Sequence, residues 1–286
     1  MRGFLSIWGW ATTLAIVLVV IFISYSLNSA YAQKPFWNLQ RLDQLEKNGV
    51  VAIGTSLTRH GFYYDTDFTQ LAAKSGLDMD FIRFTKGSAE PSDFIDVLTD
   101  INQRHKKPKI IFLQLEPFMI KGRDHNILAR TQGKIHALIR LLLPFSSKVW
   151  NNINANYPES ELELLTKEAS LADMKGRARN RLHQLKPLIL SKNYSDLLLN
   201  LQNSGVKIIF LRMNFAAQRY TYLKPKNFRK LTSQWIKDFK AVNGFEVWDY
   251  NGLDMSYYKD SAHLNLKGRA IFSSWIITKI KQENII

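Results

Sequence analysis

From Phe4 to Leu27 the chain reads FLSIWGWATTLAIVLVVIFISYSL, 24 residues without a charge. About 20 helical residues cross the hydrocarbon core of a bilayer, so this run predicts one N-terminal transmembrane helix. Trp8 and Trp10 near one end and Tyr25 near the other stand where interfacial aromatics belong. A cleaved signal peptide is the competing reading, because Ala30-Tyr31-Ala32 is a small-x-small site. The apolar core of such a signal runs to about 7–15 residues, shorter than this one. Next, Pro35 to Asn48 reads as a linker and short helix, with Leu39, Leu42 and Leu45 at three-residue spacing.

From there the pattern changes to short apolar runs separated by helical periods. Val50–Ile53, Phe81–Phe84, Ile110–Leu113, Val206–Leu211 and Phe245–Trp248 are candidate strands, each short enough to be buried on both faces. A helical stretch near Phe68 to Ala73 follows the first, and a last helix is expected from Lys267 to Ile280. Five strands with intervening helices predict an α/β fold, a three-layer α/β/α doubly wound parallel sheet. Ligands in such sheets bind at the carboxyl ends of the strands. Glu116 to Leu190 is too long for one crossover and is expected to be a mainly helical insertion, about 116–190. Within it Ile135, Leu138, Ile139, Leu142 and Leu143 form an apolar stripe beside Lys134 and Arg140. That stripe is expected to face the core, a membrane surface or membrane partner being the alternative. The domain organisation expected is 1–34 as anchor and linker, then 35–286 as a single domain carrying the insertion.

Composition adds two constraints. Apolar residues at 46% and aromatics at 12% suit a packed body, and the absence of cysteine excludes disulfides and thiolate nucleophiles. The net charge of +15 is concentrated: ten Lys/Arg against Glu116 and Asp124 between Arg104 and Lys148, and nine against Asp238 between Lys207 and Lys240. Such segments favour anionic headgroups or an anionic glycan. Arg2, Lys34 and Arg41 say little about orientation, but large domains translocate largely regardless of such charges. The expected location is the inner (cytoplasmic) membrane, single-pass, with the body on the extracytoplasmic side. Nucleic acid is not an expected partner there.

Three turns can carry chemistry. Gly54-Thr55-Ser56-Leu57 follows the first strand, where a serine on a tight turn is exposed at the sheet edge and its own amide is open to an oxyanion. A serine there is equally suited to cap a helix. In Asp260-Ser261-Ala262-His263-Leu264-Asn265 a carboxylate and an imidazole can lie side by side, the first orienting the second as general base. A helix cap beside a surface histidine is the alternative. Lys86-Gly87-Ser88 after the second strand offers a glycine amide, or merely a turn. His60, four residues after Ser56, is expected on a surface helix, with a place lining the site as the other reading. His60, His105, His125, His136 and His183 show no metal-ligand spacing, so no metal is expected. Asp65-Thr66-Asp67 and Asp78-Met79-Asp80 lack an EF-hand frame, no phosphate-cradling glycine motif occurs, and no cofactor is expected. Asn193-Tyr194-Ser195 fits a glycosylation acceptor by pattern only.

Taken together, G-x-S-L at the first strand, a glycine turn at the second and D-x-x-H-L-N before the last helix resemble blocks I, II and V of the SGNH (GDSL-like) hydrolase superfamily. The resemblance runs from about Val50 to Ile280 and rests on few residues. It implies Ser56 as nucleophile, Asp260 and His263 as the rest of a catalytic triad, and the amides of Ser56 and Gly87 as oxyanion donors. Two of the family's segments depart from its pattern. Thr55 stands where the family usually has Asp, and Gln114-Leu115-Glu116 stands where it has G-x-N-D. Gln114 is then the candidate for the missing Asn donor; losing one such donor typically costs about 10²–10³ in rate. An anchored SGNH-like body is similar to the accessory proteins of envelope polymer modification, those of alginate acetylation and of teichoic-acid D-alanylation. That similarity implies an envelope glycan or acyl-ester substrate, a covalent acyl-serine and a multi-span membrane acyltransferase as partner. The alternative is a non-catalytic scaffold that binds an anionic polymer or that membrane enzyme.

Overall fold

The structure is a computed structural model that describes residues 10, 12, 39–46, 48–86, 89, 91–119, 166–176, 190–223 and 228–286. The elements below all belong to one compact unit, built from residues 39–126 and 151–286. After a 3-10 turn at Leu39–Gln44 come β1 (Val50–Gly54), α1 (Ser56–Gly61), α2 (Asp65–Lys74), β2 (Phe81–Thr85), α3 (Pro91–Gln103) and β3 (Ile110–Gln114). Then follow α4 (Glu116–Met119), α5 (Leu171–Gly176), α6 (Lys192–Asn203), β4 (Lys207–Met213), α7 (Phe228–Asn243), β5 (Glu246–Tyr250) and α8 (Leu266–Gln282).

Among the described residues the strands form one five-stranded sheet in the order β2-β1-β3-β4-β5, with every neighbour parallel. The order reverses between β1 and β3, so the ends of those two strands flank a topological switch point, the place where open α/β sheets put their sites.

The strand sequences explain the layers. Val50, Val51, Ala52 and Ile53 are each 0% exposed, so β1 is covered on both faces, as parallel sheets require. One face carries Val50, Ala52, Phe112, Ile209, Leu211 and Trp248, packed with Phe62, with Phe68 of α2 and with Phe272 and Ile276 of α8. The other face carries Phe210, whose ring meets Phe118 of α4, Phe239 of α7 and Phe245. Each such side chain taken fully from water is worth about 1.5–3 kcal/mol. Left-handed Gly205 and Gly244 (φ +87° and +71°) stop α6 and α7 and turn the chain into β4 and β5.

All five predicted strands form, and each runs one or two residues further towards its carboxyl end than the apolar pattern does. The additions are Gly54, Thr85, Gln114, Arg212 and Met213, and Asp249 and Tyr250. Most are polar or small, which ends an apolar run while backbone pairing continues. Among the described residues no helix is long and apolar enough to cross a membrane. Residues 4–27 lie outside the described residues apart from Trp10 and Thr12. So does most of the 116–190 segment, including the stripe at 135–143; its described parts include α4 and α5.

Candidate active site

The carboxyl end of β1 is shaped by what surrounds Gly54. A side chain on Gly54 would overlap Thr58 Oγ1 and lie 2.6 Å from Gln114 Oε1, so close packing, not an unusual φ, makes glycine necessary. Gln114, 2% exposed at the end of β3, turns its carbonyl into the β1–α1 turn. There Oε1 accepts from Thr55 N (2.7 Å), Thr55 Oγ1 (2.9 Å) and Thr58 Oγ1 (2.8 Å), with Thr58 N at 3.4 Å. Backbone donors on one side of the amide fix which atom is oxygen.

Thr55 caps α1, its Oγ1 accepting from Leu57 N at 3.2 Å. The cap is therefore Thr55 and not Ser56, which becomes the first helical residue. Of the first-turn amides, Leu57 and Thr58 are taken by Thr55 and Gln114; nothing among the described residues accepts from the Ser56 amide.

The far end of α1 is tied to its surroundings. Arg83 of β2 donates to the carbonyls of Arg59 (2.7 Å) and Phe62 (3.0 Å), and Arg269 of α8 to that of His60 (3.3 Å). The Tyr64 ring lies against both guanidinium groups, at 4.6 and 5.9 Å. Cations at the carboxyl end of a helix match its unsatisfied carbonyls.

From the other side comes the loop between β5 and α8, pinched shut by an antiparallel bridge between Tyr258 and Leu264. Lys259 N donates to His263 O (2.9 Å) inside it. Asp260 Oδ1 takes the amides of Ala262 (2.8 Å) and His263 (3.0 Å), closing the turn on its own carboxylate. Arg219, buried with its guanidinium 3.9 Å from the Phe215 ring centroid, donates to Ser261 O at 2.9 Å. Asn265 caps α8, accepting from Gly268 N at 3.1 Å. Ala169 N, in the segment before α5, donates to Tyr258 O at 2.7 Å.

These two pieces of chain bring Ser56, His263 and Asp260 together. His263 Nε2 is 2.8 Å from Ser56 Oγ, and His263 Nδ1 is 2.8 Å from Asp260 Oδ2 and 3.1 Å from Oδ1. Burial on its own would raise the Asp260 pKa. The hydrogen bond and charge of His263, with the Ala262 and His263 amides, outweigh it and hold the carboxyl well below the usual aspartate range. An ionised Asp260 only accepts, so Nδ1 carries the proton when the imidazole is neutral, and Nε2 is then bare towards Ser56. The side chains of Asp260 and His263 keep 22% and 18% of their exposure, so both are partly open to solvent.

Gly87 lies outside the described residues. Gln114 is placed to hold the turn that carries Ser56; its Nε2 is buried and has no hydrogen-bond partner. His60 departs from expectation: it is 7% exposed, and its ring centroid is 4.9 Å from that of His263. The reason is that i and i+4 share a helix face, so the side of α1 that presents Ser56 to His263 presents His60 too. Arg83, Arg219 and Arg269 belong to this neighbourhood without any expectation from the sequence. For Arg83 the signal was available, a cation inside the apolar run Phe81–Phe84.

No protein-family model and no curated protein matches the chain. Among solved structures it is similar to a GDSL-like lipase from Bacteroides thetaiotaomicron, at 14% identity and a TM-score of 0.42, over 87% of this chain and 99% of that one. It is also similar to a protein described as an acylhydrolase from Bacteroides fragilis, at 13% identity and TM-score 0.40, over 83% and 88%. A third is described as a lipolytic protein of the G-D-S-L family from Desulfitobacterium hafniense, at 13% identity and TM-score 0.37, over 81% and 99%.

Proposed function

We propose that this protein is a serine-dependent acyl-ester hydrolase or O-acyltransferase of the cell envelope, working through a covalent acyl-serine. The observation that carries the reading is the relay Ser56 Oγ to His263 Nε2 (2.8 Å) and His263 Nδ1 to Asp260 Oδ2 (2.8 Å). In this mechanism His263 Nε2 takes the Ser56 proton as Oγ bonds to the ester carbonyl carbon, and ionised Asp260 stabilises the imidazolium. The oxyanion sits on the Ser56 amide, with the Gly87 amide as second donor. Collapse breaks the ester C–O bond, and His263 protonates the departing alkoxide. Water or a sugar hydroxyl then attacks the acyl-serine, giving its proton to His263, and Ser56 is restored.

An envelope glycan as acceptor, anchoring through residues 4–27, and a multi-span membrane acyltransferase as donor belong to the same proposal. Their support is the uncharged N-terminal run, the net charge of +15 and the family resemblance of the site turns. A scaffold would need no ordered proton relay, which is why the catalytic reading is preferred.

The test is intact mass after incubation with a small acetyl ester, run beside Ser56→Ala. An acetyl adduct of one acyl group on the wild type, absent from the variant, is the expected result. An adduct that survives Ser56→Ala, or none on the folded full-length protein with or without its membrane, removes Ser56 from the role.

A further inference from the structure

Hydrogen bonds at Nδ1 and Nε2 hold the His263 ring along one line, but they leave its tilt about that line open. Packing has to set the tilt, and the ring against it is His60, at 4.9 Å between centroids and 66° between planes. Such edge-to-face contact is a favoured aromatic geometry.

The base from which His60 does this is rigid. Carbonyls 59 to 62 at the end of α1 are all engaged from other elements. Arg83 holds Arg59 O and Phe62 O, Arg269 holds His60 O, and Ser273 Oγ donates to Gly61 O at 3.4 Å. Met213 and Phe272 also press on Gly61, where any Cβ would meet them.

We propose that His60 is a positioning residue for His263: its ring sets the angle at which Nε2 meets Ser56. This rests on the reading of Ser56, His263 and Asp260 as the reacting groups. Burial first, then the positive charges around it, keep His60 neutral across the physiological range. The standing charges are Lys259 from the β5–α8 loop, Arg269 from α8 and Arg59 on its own helix, and His263 adds to them once it is protonated; Arg83 approaches from β2, and the one acid of the loop turn is Asp260. Neutrality matters because His263 must itself become a cation when it takes the serine proton. A second cation at this distance would oppose that step, whereas a neutral ring edge does not.

The experiment measures fluorophosphonate labelling of Ser56 and the pH dependence of kcat/KM on an acetyl ester, using the full chain. His60→Phe keeps a neutral ring; it is expected to label within about threefold of wild type with the acid limb of its profile unmoved. His60→Ala is expected to lose about 10- to 100-fold in labelling rate and kcat, with KM little changed. Its acid limb should move to higher pH, because water beside His263 solvates the imidazolium. If His60→Ala loses cooperative melting, His60→Leu, which fills the space without a ring, takes its place with the same loss in labelling rate and kcat and an unmoved acid limb. The proposal fails if removing the ring leaves both rate and acid limb at wild-type values, or if His60→Phe loses as much as the ringless variant. Wild-type protein unlabelled at Ser56 would instead sink the reading of the site, and this inference with it.

Discussion

Glu116 and Asp260 are both carboxyls held by backbone amides, yet their surroundings move them in opposite directions. Glu116 Oε1 accepts from Met213 N at 2.6 Å, while Oε2 is buried with no hydrogen-bond partner. Burial pushes its pKa up to about 7, against the pull of its own amide, that of Met213 and the Arg212 charge. The stability consequence has a definite sign. Below the unfolded value of 4.5 both states hold the proton; between 4.5 and about 7 only the folded state does, so stability falls as pH rises, and above 7 the loss is complete. Glu116→Gln has no such slope. Its stability relative to wild type should therefore improve by on the order of 1–3 kcal/mol from pH 4 to pH 8. Denaturant unfolding of both proteins across that range checks it; a flat difference contradicts the assignment. Asp260 acts the other way, its stabilisation being present above the unfolded value of 3.8 and lost as pH falls below it.

At the scale of elements, the site depends on how α1 is joined to β1 and β3. One acceptor, Gln114 Oε1, receives donors of Thr55 and Thr58 on the turn that carries Ser56. Gly54 keeps the space they occupy. Gly54→Ala should accordingly cost about 1–3 kcal/mol by overpacking and should lower Ser56 reactivity as well. Gln114→Met, which keeps the length but removes the acceptor, should cost a similar amount by leaving buried donors unmet. Urea unfolding and fluorophosphonate labelling read the two effects, and a Gly54→Ala protein as stable and as reactive as wild type would contradict this account. A threonine hydroxyl serves as helix cap and as donor to Gln114, and neither task needs a charge.

At the scale of the whole molecule, the N-terminal run from Phe4 to Leu27 makes a direct prediction. A single membrane-spanning helix inserts almost irreversibly, so alkaline carbonate extraction should leave the full chain in the membrane pellet and release a version lacking residues 4–27. Release of the full chain would overturn the anchor. The sequence by itself was sufficient for the fold class, because strands buried on both faces need continuous apolar runs, and the chain has five of them separated by helical periods. It was sufficient too for Ser56, Asp260 and His263 as the residues to watch, since a short polar turn straight after a buried strand stands out against its surroundings. Their meeting across 207 positions of sequence was decided by tertiary structure, through a parallel sheet that carries both loops to one edge. The same holds for the partners of that site. Whether Gln114 faces a substrate or the β1–α1 turn, and whether His60 lies in water or against His263, depends on rotamers and on neighbours distant in sequence. Local pattern records the period of an element and the side it buries, but not which remote side chain fills the space beside it.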